Sequence, residues 1–224
     1  MYVTIPSKSD VGAFPAALCE SARLLPETRL GTNTFLYREG DKVARIYQIT
    51  SGIVSLTRHL LNGRRQVIAF GFPGDIVGFP HRGRHHTDCE ALTSATLQPY
   101  RLSQVTGDST DPDLRAGFLN AAMEEIAGMQ DHFMMLGRKS AAEKLASFLL
   151  VLANRAGTSV GQYTQVHIPM SRADIADFLG LTTETVSRTL TQFRISRVIA
   201  LDGAHTVILL RPEALRSQMV GCAD

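Results

Sequence analysis

Residues 171–190 read SRADIADFLGLTTETVSRTL, a string that few structures other than two short helices joined by a tight turn can satisfy. Ser171 is suited to cap a helix, and Asp174, three positions on, can reach back to it or favour the helix N-terminus. Ile175, Ala176 and Leu179 give this first helix an apolar face. Gly180 then falls where a tight turn needs a residue tolerant of positive φ. Leu181 can plug the gap between the helices, Thr182 caps the second, and Val186 and Leu190, four apart, turn that helix inward. Short helix, glycine turn and second helix are the parts of a helix-turn-helix.

The other side of the second helix carries chemistry. Glu184, Ser187 and Arg188 lie at i, i+3 and i+4 and so share one face. An arginine donates two hydrogen bonds to guanine O6 and N7, a glutamate accepts from cytosine N4, and a serine is short enough for close contact with a base edge. These three are the candidate base-contacting residues of a double-stranded DNA site. Ser171, Arg172, Thr182, Thr183, Thr185 and Thr189 are candidates for the phosphate backbone, with Thr191, Arg194 and Arg197 as further hydroxyls and cations. The bland alternative is a helix-stabilising Glu184–Arg188 ion pair worth ~0.3–0.5 kcal/mol; it leaves the rest of the signature unexplained.

Upstream the text is different. From Phe35 to about Leu102, short runs rich in Val, Ile, Phe and Tyr are separated by turn signals at Glu39-Gly40-Asp41, Ser51-Gly52, Asn62-Gly63 and Pro73-Gly74-Asp75. Asn-Gly between alternating runs is a strong hairpin signal and joins 53–61 to 64–72. Turns at roughly ten-residue spacing predict an antiparallel sandwich or barrel. After Asp108 the period lengthens: Leu119, Ala122, Ile126, Met129, Phe133 and Leu136 alternate spacings of three and four, an a/d seam suited to a homodimer interface. One amphipathic helix packed on its own domain is the plainer reading. Gly137 breaks that pattern, and Ser140 with Glu143 forms a capping box for the next helix, which ends near Gly157. Residues 157–165 read as a loop leading into a strand at 165–168, and a hairpin of 198–201 and 206–210 turns at Asp202-Gly203. A helix is also expected at 18–25. The expected divisions are 1–107, an N-terminal β domain; 108–137, a dimerisation helix; and 138–224, a DNA-binding domain.

Composition narrows the classes. At 224 residues, with 44% hydrophobic and 20% charged residues and a net charge of +2, the chain reads as soluble and globular. Three cysteines far apart (Cys19, Cys89, Cys222) suit a reducing cytosol. The N-terminus lacks the pattern of a signal peptide, and no apolar run approaches the length of a membrane span, so a cytoplasmic location without membrane contact is expected. No nucleophile with base and orienter, no HExxH and no P-loop is present, which argues against an enzyme.

PGDIVGF (73–79), GRKSAAEKLASFLL (137–150), MSRADIADFLGLTTETVSR (170–188) and RPEALRS (211–217) together resemble the CRP/FNR superfamily of bacterial regulators, especially its FixK-type branch, over 34–216. The resemblance implies an α+β fold: an N-terminal double-stranded antiparallel β-roll like a cyclic-nucleotide-binding domain, a long dimerisation helix and a C-terminal winged helix-turn-helix. It implies a palindromic operator of the form TTGAT–N4–ATCAA read by Glu184, Ser187 and Arg188, activation through RNA polymerase, and control of microaerobic or anaerobic metabolism. Some FixK-type proteins carry a reactive cysteine in the recognition triplet; Ser187 stands there, so that redox switch is not expected.

Three sensor chemistries known on this scaffold make demands on the residues. A cyclic-nucleotide phosphate needs a glutamate after the strand turn and a downstream Arg-Ser; Asp75 is an early acid, no Arg-Ser follows, and Thr87-Asp88 would repel a phosphate. The iron–sulfur type needs clustered N-terminal cysteines and a later one; only Cys19 is near the N-terminus, Gln98 or a neighbour aligns where the later one belongs, and Cys89 reads as a small buried hydrophobe. A haem or zinc site has one foothold, His81, His85, His86 and Cys89, whose irregular spacing reads instead as a solvated polar loop or a surface for RNA polymerase. The expectation is therefore no obligatory cofactor or metal; a metal- or haem-dependent sensor with ligand near His81–Cys89 is the alternative.

Overall fold

The computed structural model describes residues 25–60, 63–107 and 112–220. The expected helix at 18–25, Cys19, Asn62 and Cys222 lie outside the described residues, Leu25 excepted. The chain divides into two compact units, one running through Met129 and the other from Gln130.

The first unit contains β1 (Thr28–Leu30), β2 (Phe35–Tyr37), β3 (Arg45–Ser51), β4 (Val54–His59), β5 (Arg65–Gly71), β6 (Ile76–Val77), β7 (Asp88–Ala91) and β8 (Ala95–Arg101), then α1 (Leu102–Thr106). They form two antiparallel sheets, β1-β8-β3-β6 and β2-β7-β4-β5. One buried cluster draws on both sheets: Tyr37, Val54, Cys89 and Ala91 from one, Ile49, Val77, Ala95 and Leu97 from the other. The alternation read in the sequence is thus a double-sheet roll whose inward side chains meet in one core. The hairpin expected around Gly63 forms, with Val54 opposite Gly71 and His59 opposite Arg65.

The long helix α2 (Pro112–Arg138) follows. Its first turns pack Leu114 and Phe118 on Ile46, Ile76 and Tyr100 of the roll, with the Phe118 ring edge-on to Tyr100 at 5.2 Å.

In the second unit, α3 (Ala141–Ala156) starts at the expected capping box: Ser140 Oγ accepts from Glu143 N, and the Glu143 carboxylate accepts from Ser140 N at 2.6 Å. Nine consecutive residues of α3, Lys144–Leu152, are buried, so it is the core helix of this unit. Then come β9 (Gly157–Val160), β10 (Tyr163–His167), α4 (Arg172–Leu179), α5 (Thr183–Ile195), β11 (Ile199–Asp202), β12 (Thr206–Leu209) and α6 (Pro212–Val220), the strands ordered β11-β12-β10-β9. The segment read as a loop at 157–165 is mostly strand, paired Val160 to Tyr163 and Gly157 to Val166. All four residues of β9 are exposed, so no apolar alternation marks it.

Candidate nucleic-acid interface

Ser171 ends its extended backbone just before α4 and makes both halves of a capping box. Its Oγ accepts from Asp174 N at 3.1 Å, and the Asp174 carboxylate accepts from Ser171 N at 3.0 Å. Ile175, Ala176, Phe178 and Leu179 are buried beneath. Gly180 takes the left-handed conformation, φ 61 and ψ 43, and its N–H reaches back to the last turn of α4. A side chain there would be strained by that φ and would meet Leu136 Cδ2 at 3.4 Å, which accounts for a glycine at the turn. Leu181, half-buried, fills the turn. Thr182 caps α5 by accepting from Thr185 N at 3.1 Å.

Val186, Leu190 and Phe193 anchor α5 inward. On its other side Glu184, Ser187 and Arg188 are all exposed. Among the described residues no ion pair joins Glu184 to Arg188, so the bland reading of this pair finds no support in the geometry. Glu184 and Arg188 project one turn apart on an open helix face, able to accept and donate hydrogen bonds respectively.

The expected phosphate-contacting residues divide. Ser171, Thr182 and Thr183 are exposed around the N-termini of α4 and α5, and Arg172 and Thr185 are half-buried. Burial lowers the Arg172 guanidinium below its usual range, and it donates to Ala204 O at 3.4 Å. Thr189 differs: it is buried, and its hydroxyl donates to Thr185 O at 2.8 Å inside the helix. Thr191, Arg194 and Arg197 are exposed. Arg211, which sequence reasoning passed over, donates to the carbonyls of Arg197 (3.1 Å) and Ser196, covering the open C-terminal end of α5. Its signal is the Arg-Pro pair that opens α6.

On α2, four of the six seam residues are exposed: Leu119 by 60%, Ile126 by 54%, Met129 by 49% and Phe133 by 76%. Ala122 and Leu136 are half-covered. Met123 (60%) and Met134 (58%) are also exposed and were missed, because a strict a/d count skips neighbours that a straight 3.6-residue helix places beside the seam.

The loop between β6 and β7 is not uniformly solvated. His85 is buried, its ring stacked on Tyr37 at 3.6 Å and 6°. This corrects the reading of a solvated loop: the partner ring lies 48 positions away and leaves no local trace. Gly78, at φ +91, lets both rings approach; a Cβ there would lie 3.4 Å from Tyr37 Cε1 and from His85 Cε1. Burial lowers His85 and pushes the Cys89 thiol up to about 12, far from a thiolate ligand. His86 Nε2 lies 3.2 Å from the Arg58 guanidinium, which can only donate, so that nitrogen accepts. Asp88, expected to repel a phosphate, is buried and accepts from Glu39 N at 2.7 Å, with Arg38 at 3.3 Å.

Residues 27–104 match the family model described as a cyclic nucleotide-binding domain, and residues 143–218 match the Crp-like helix-turn-helix domain. The chain is 39% identical over 212 residues to the nitrogen fixation regulation protein FixK of Rhizobium meliloti (strain 1021), covering 95% of each. It is 34% identical to the transcriptional activatory protein AadR of Rhodopseudomonas palustris (strain ATCC BAA-98 / CGA009), covering 90% of this chain and 85% of that one. Among solved structures, FixK2 from Bradyrhizobium japonicum superposes with a TM-score of 0.78 at 31% identity, over 86% of this chain and 96% of that one.

Proposed function

The chain belongs to the CRP/FNR family of transcription regulators and carries its DNA-binding helix-turn-helix, and from that premise we propose that it is a homodimeric, FixK-type activator that needs no small-molecule effector to bind its operator. The observation that carries this reading is the open face of α5: Glu184, Ser187 and Arg188 exposed on a helix whose cap, turn and buried side are all in place. Arg188 reads a guanine, Glu184 the cytosine paired to it, and Ser187 an adjacent base edge. Ser171, Arg172, Thr182, Thr183 and Thr185 hold the backbone, helped by the partial positive charge at the two helix N-termini. Thr189 contributes through the helix rather than through DNA, since its hydroxyl is spent on Thr185 O.

Two copies joined along α2 set two such helices a helical turn apart on a palindrome of the form TTGAT–N4–ATCAA. The exposed apolar run from Leu119 to Phe133 supports that pairing. Effector independence is supported by the phosphate cradle: no Arg-Ser follows Asp75 in the roll, and the carboxylate of Asp88, near the place where that pair belongs, is buried and held by Glu39 N and Arg38. A metal or haem near His81–Cys89 is less well supported, since His85 is stacked, the Cys89 thiol is buried and His86 faces Arg58. The protein acts in the cytoplasm, engages RNA polymerase as an activator and serves microaerobic or anaerobic metabolism; no described helix is long and apolar enough to cross a membrane.

The test is a fluorescence-anisotropy titration of purified protein, without added ligand, on a duplex carrying TTGAT–N4–ATCAA and on a scrambled duplex at one stated salt concentration. Tight binding to the first alone is the expected result. Equally weak binding to both by folded protein would reject effector independence or the assigned operator, and a titration on randomised half-sites separates those two.

A further inference from the structure

We propose that His205 and His167 form a proton-dependent contact to the DNA backbone at the wing, a contact that strengthens binding as pH falls. The proposal rests on the DNA-binding reading above. His205 sits in the turn between β11 and β12, is exposed, and places Nδ1 3.0 Å from Ile168 O. A carbonyl oxygen only accepts, so Nδ1 carries the proton. The neutral ring then presents Nε2 as a bare acceptor, which a phosphate oxygen repels. A second proton converts Nε2 into a cationic N–H donor, the group a phosphate binds best. His167, at the end of β10, is exposed as well, and its ring centre lies 6.1 Å from that of His205.

The turn is tied to the proposed backbone-contacting surface. Ile168 N donates to His205 O at 2.6 Å, and Arg172, in the first turn of α4, donates to Ala204 O. The turn that carries His205 is therefore tied to Arg172 and to Ile168, next to His167. Arg172 faces the turn from α4, Asp202 pairs with Thr206 across the hairpin, and Thr206 also pairs with His167. The Asp174 carboxylate is committed to Ser171, taking its N–H at 3.0 Å and its hydroxyl at 2.7 Å. A phosphate arriving here meets the Arg172 guanidinium and two imidazole rings.

The experiment measures anisotropy on the specific and scrambled duplexes at about pH 8 and about pH 6, with a salt series at each. It compares the wild type, the double variant H167Q/H205Q, and H205K, which keeps a cation at both pH values. Wild-type affinity should rise about three- to tenfold on both duplexes at the lower pH, with the salt slope steeper by ~1–2, because backbone contacts carry no sequence information. H167Q/H205Q should keep its selectivity and its affinity at the higher pH and lose the gain. H205K should bind at the higher pH as tightly as the wild type does at the lower. A wild type without the gain, or a double variant that retains it, overturns the proposal while leaving the selective binding of the DNA reading intact. Absence of selective binding by every protein at both pH values rejects the DNA reading itself, and the proposal with it.

Discussion

At the scale of single residues, the informative contrast is between neighbours on α5. Arg188 and Thr189 are adjacent in sequence, yet one is exposed and the other is buried with its hydroxyl bonded to Thr185 O. Replacing Arg188 by Ala should cost roughly 1–3 kcal/mol on the specific duplex and relax preference at the guanine, measured as the ratio of specific to scrambled affinity. An equal loss on both duplexes would make Arg188 a phosphate contact. A second residue-scale expectation concerns His132 of α2, buried and stacked on Phe178 at 4.4 Å. Burial lowers its imidazole to about 4, against 6.5 in an unfolded chain. Between those values the unfolded chain binds the extra proton and the folded one does not. The stabilisation is therefore complete above pH ~6.5 and declines as pH falls toward ~4, by at most about 3 kcal/mol. Thermal melts across that range should show a steeper acid loss for wild type than for His132→Phe, and parallel curves would reject this account.

Elements were legible in proportion to how local their causes are. The caps at Ser140, Ser171 and Thr182, and the left-handed Gly180, depend on residues within one turn of each other, and the structure has each where the sequence puts it. β9 was missed because an exposed strand of Gly, Thr, Ser and Val has neither alternation nor strong propensity; pairing with β10 makes it a strand. The Tyr37–His85 stack and the Arg38–Asp88 pair join positions about 50 apart, so composition alone made their loop look wet. The apolar run of α2 was legible as a period, though its width was not, hence Met123 and Met134. Its prediction belongs to the helix as a whole. Ile126→Glu or Phe133→Glu should convert the protein to monomer by light scattering, because a seam position would then bury an unpaired carboxylate. Secondary structure should survive in both, since the two side chains are exposed in the single chain. A variant that remained dimeric would place the interface elsewhere.

Across the whole molecule, the roll and the helix-turn-helix differ in what they leave open. The roll packs the Tyr37 and His85 rings on each other beside Gly78, whereas the second unit leaves the polar face of α5 uncovered. The bare stripe on α2 then has an arithmetic consequence. Should two copies close over Leu119, Ile126 and Phe133, then well below the concentration at which half the chains are paired, dimer abundance grows as the square of chain abundance. Doubling synthesis would roughly quadruple the occupied fraction of a sparsely filled operator. On the effector-independent reading proposed above, the rate at which the cell makes and removes this chain would become the signal, and those bare side chains would set the threshold at which it is heard.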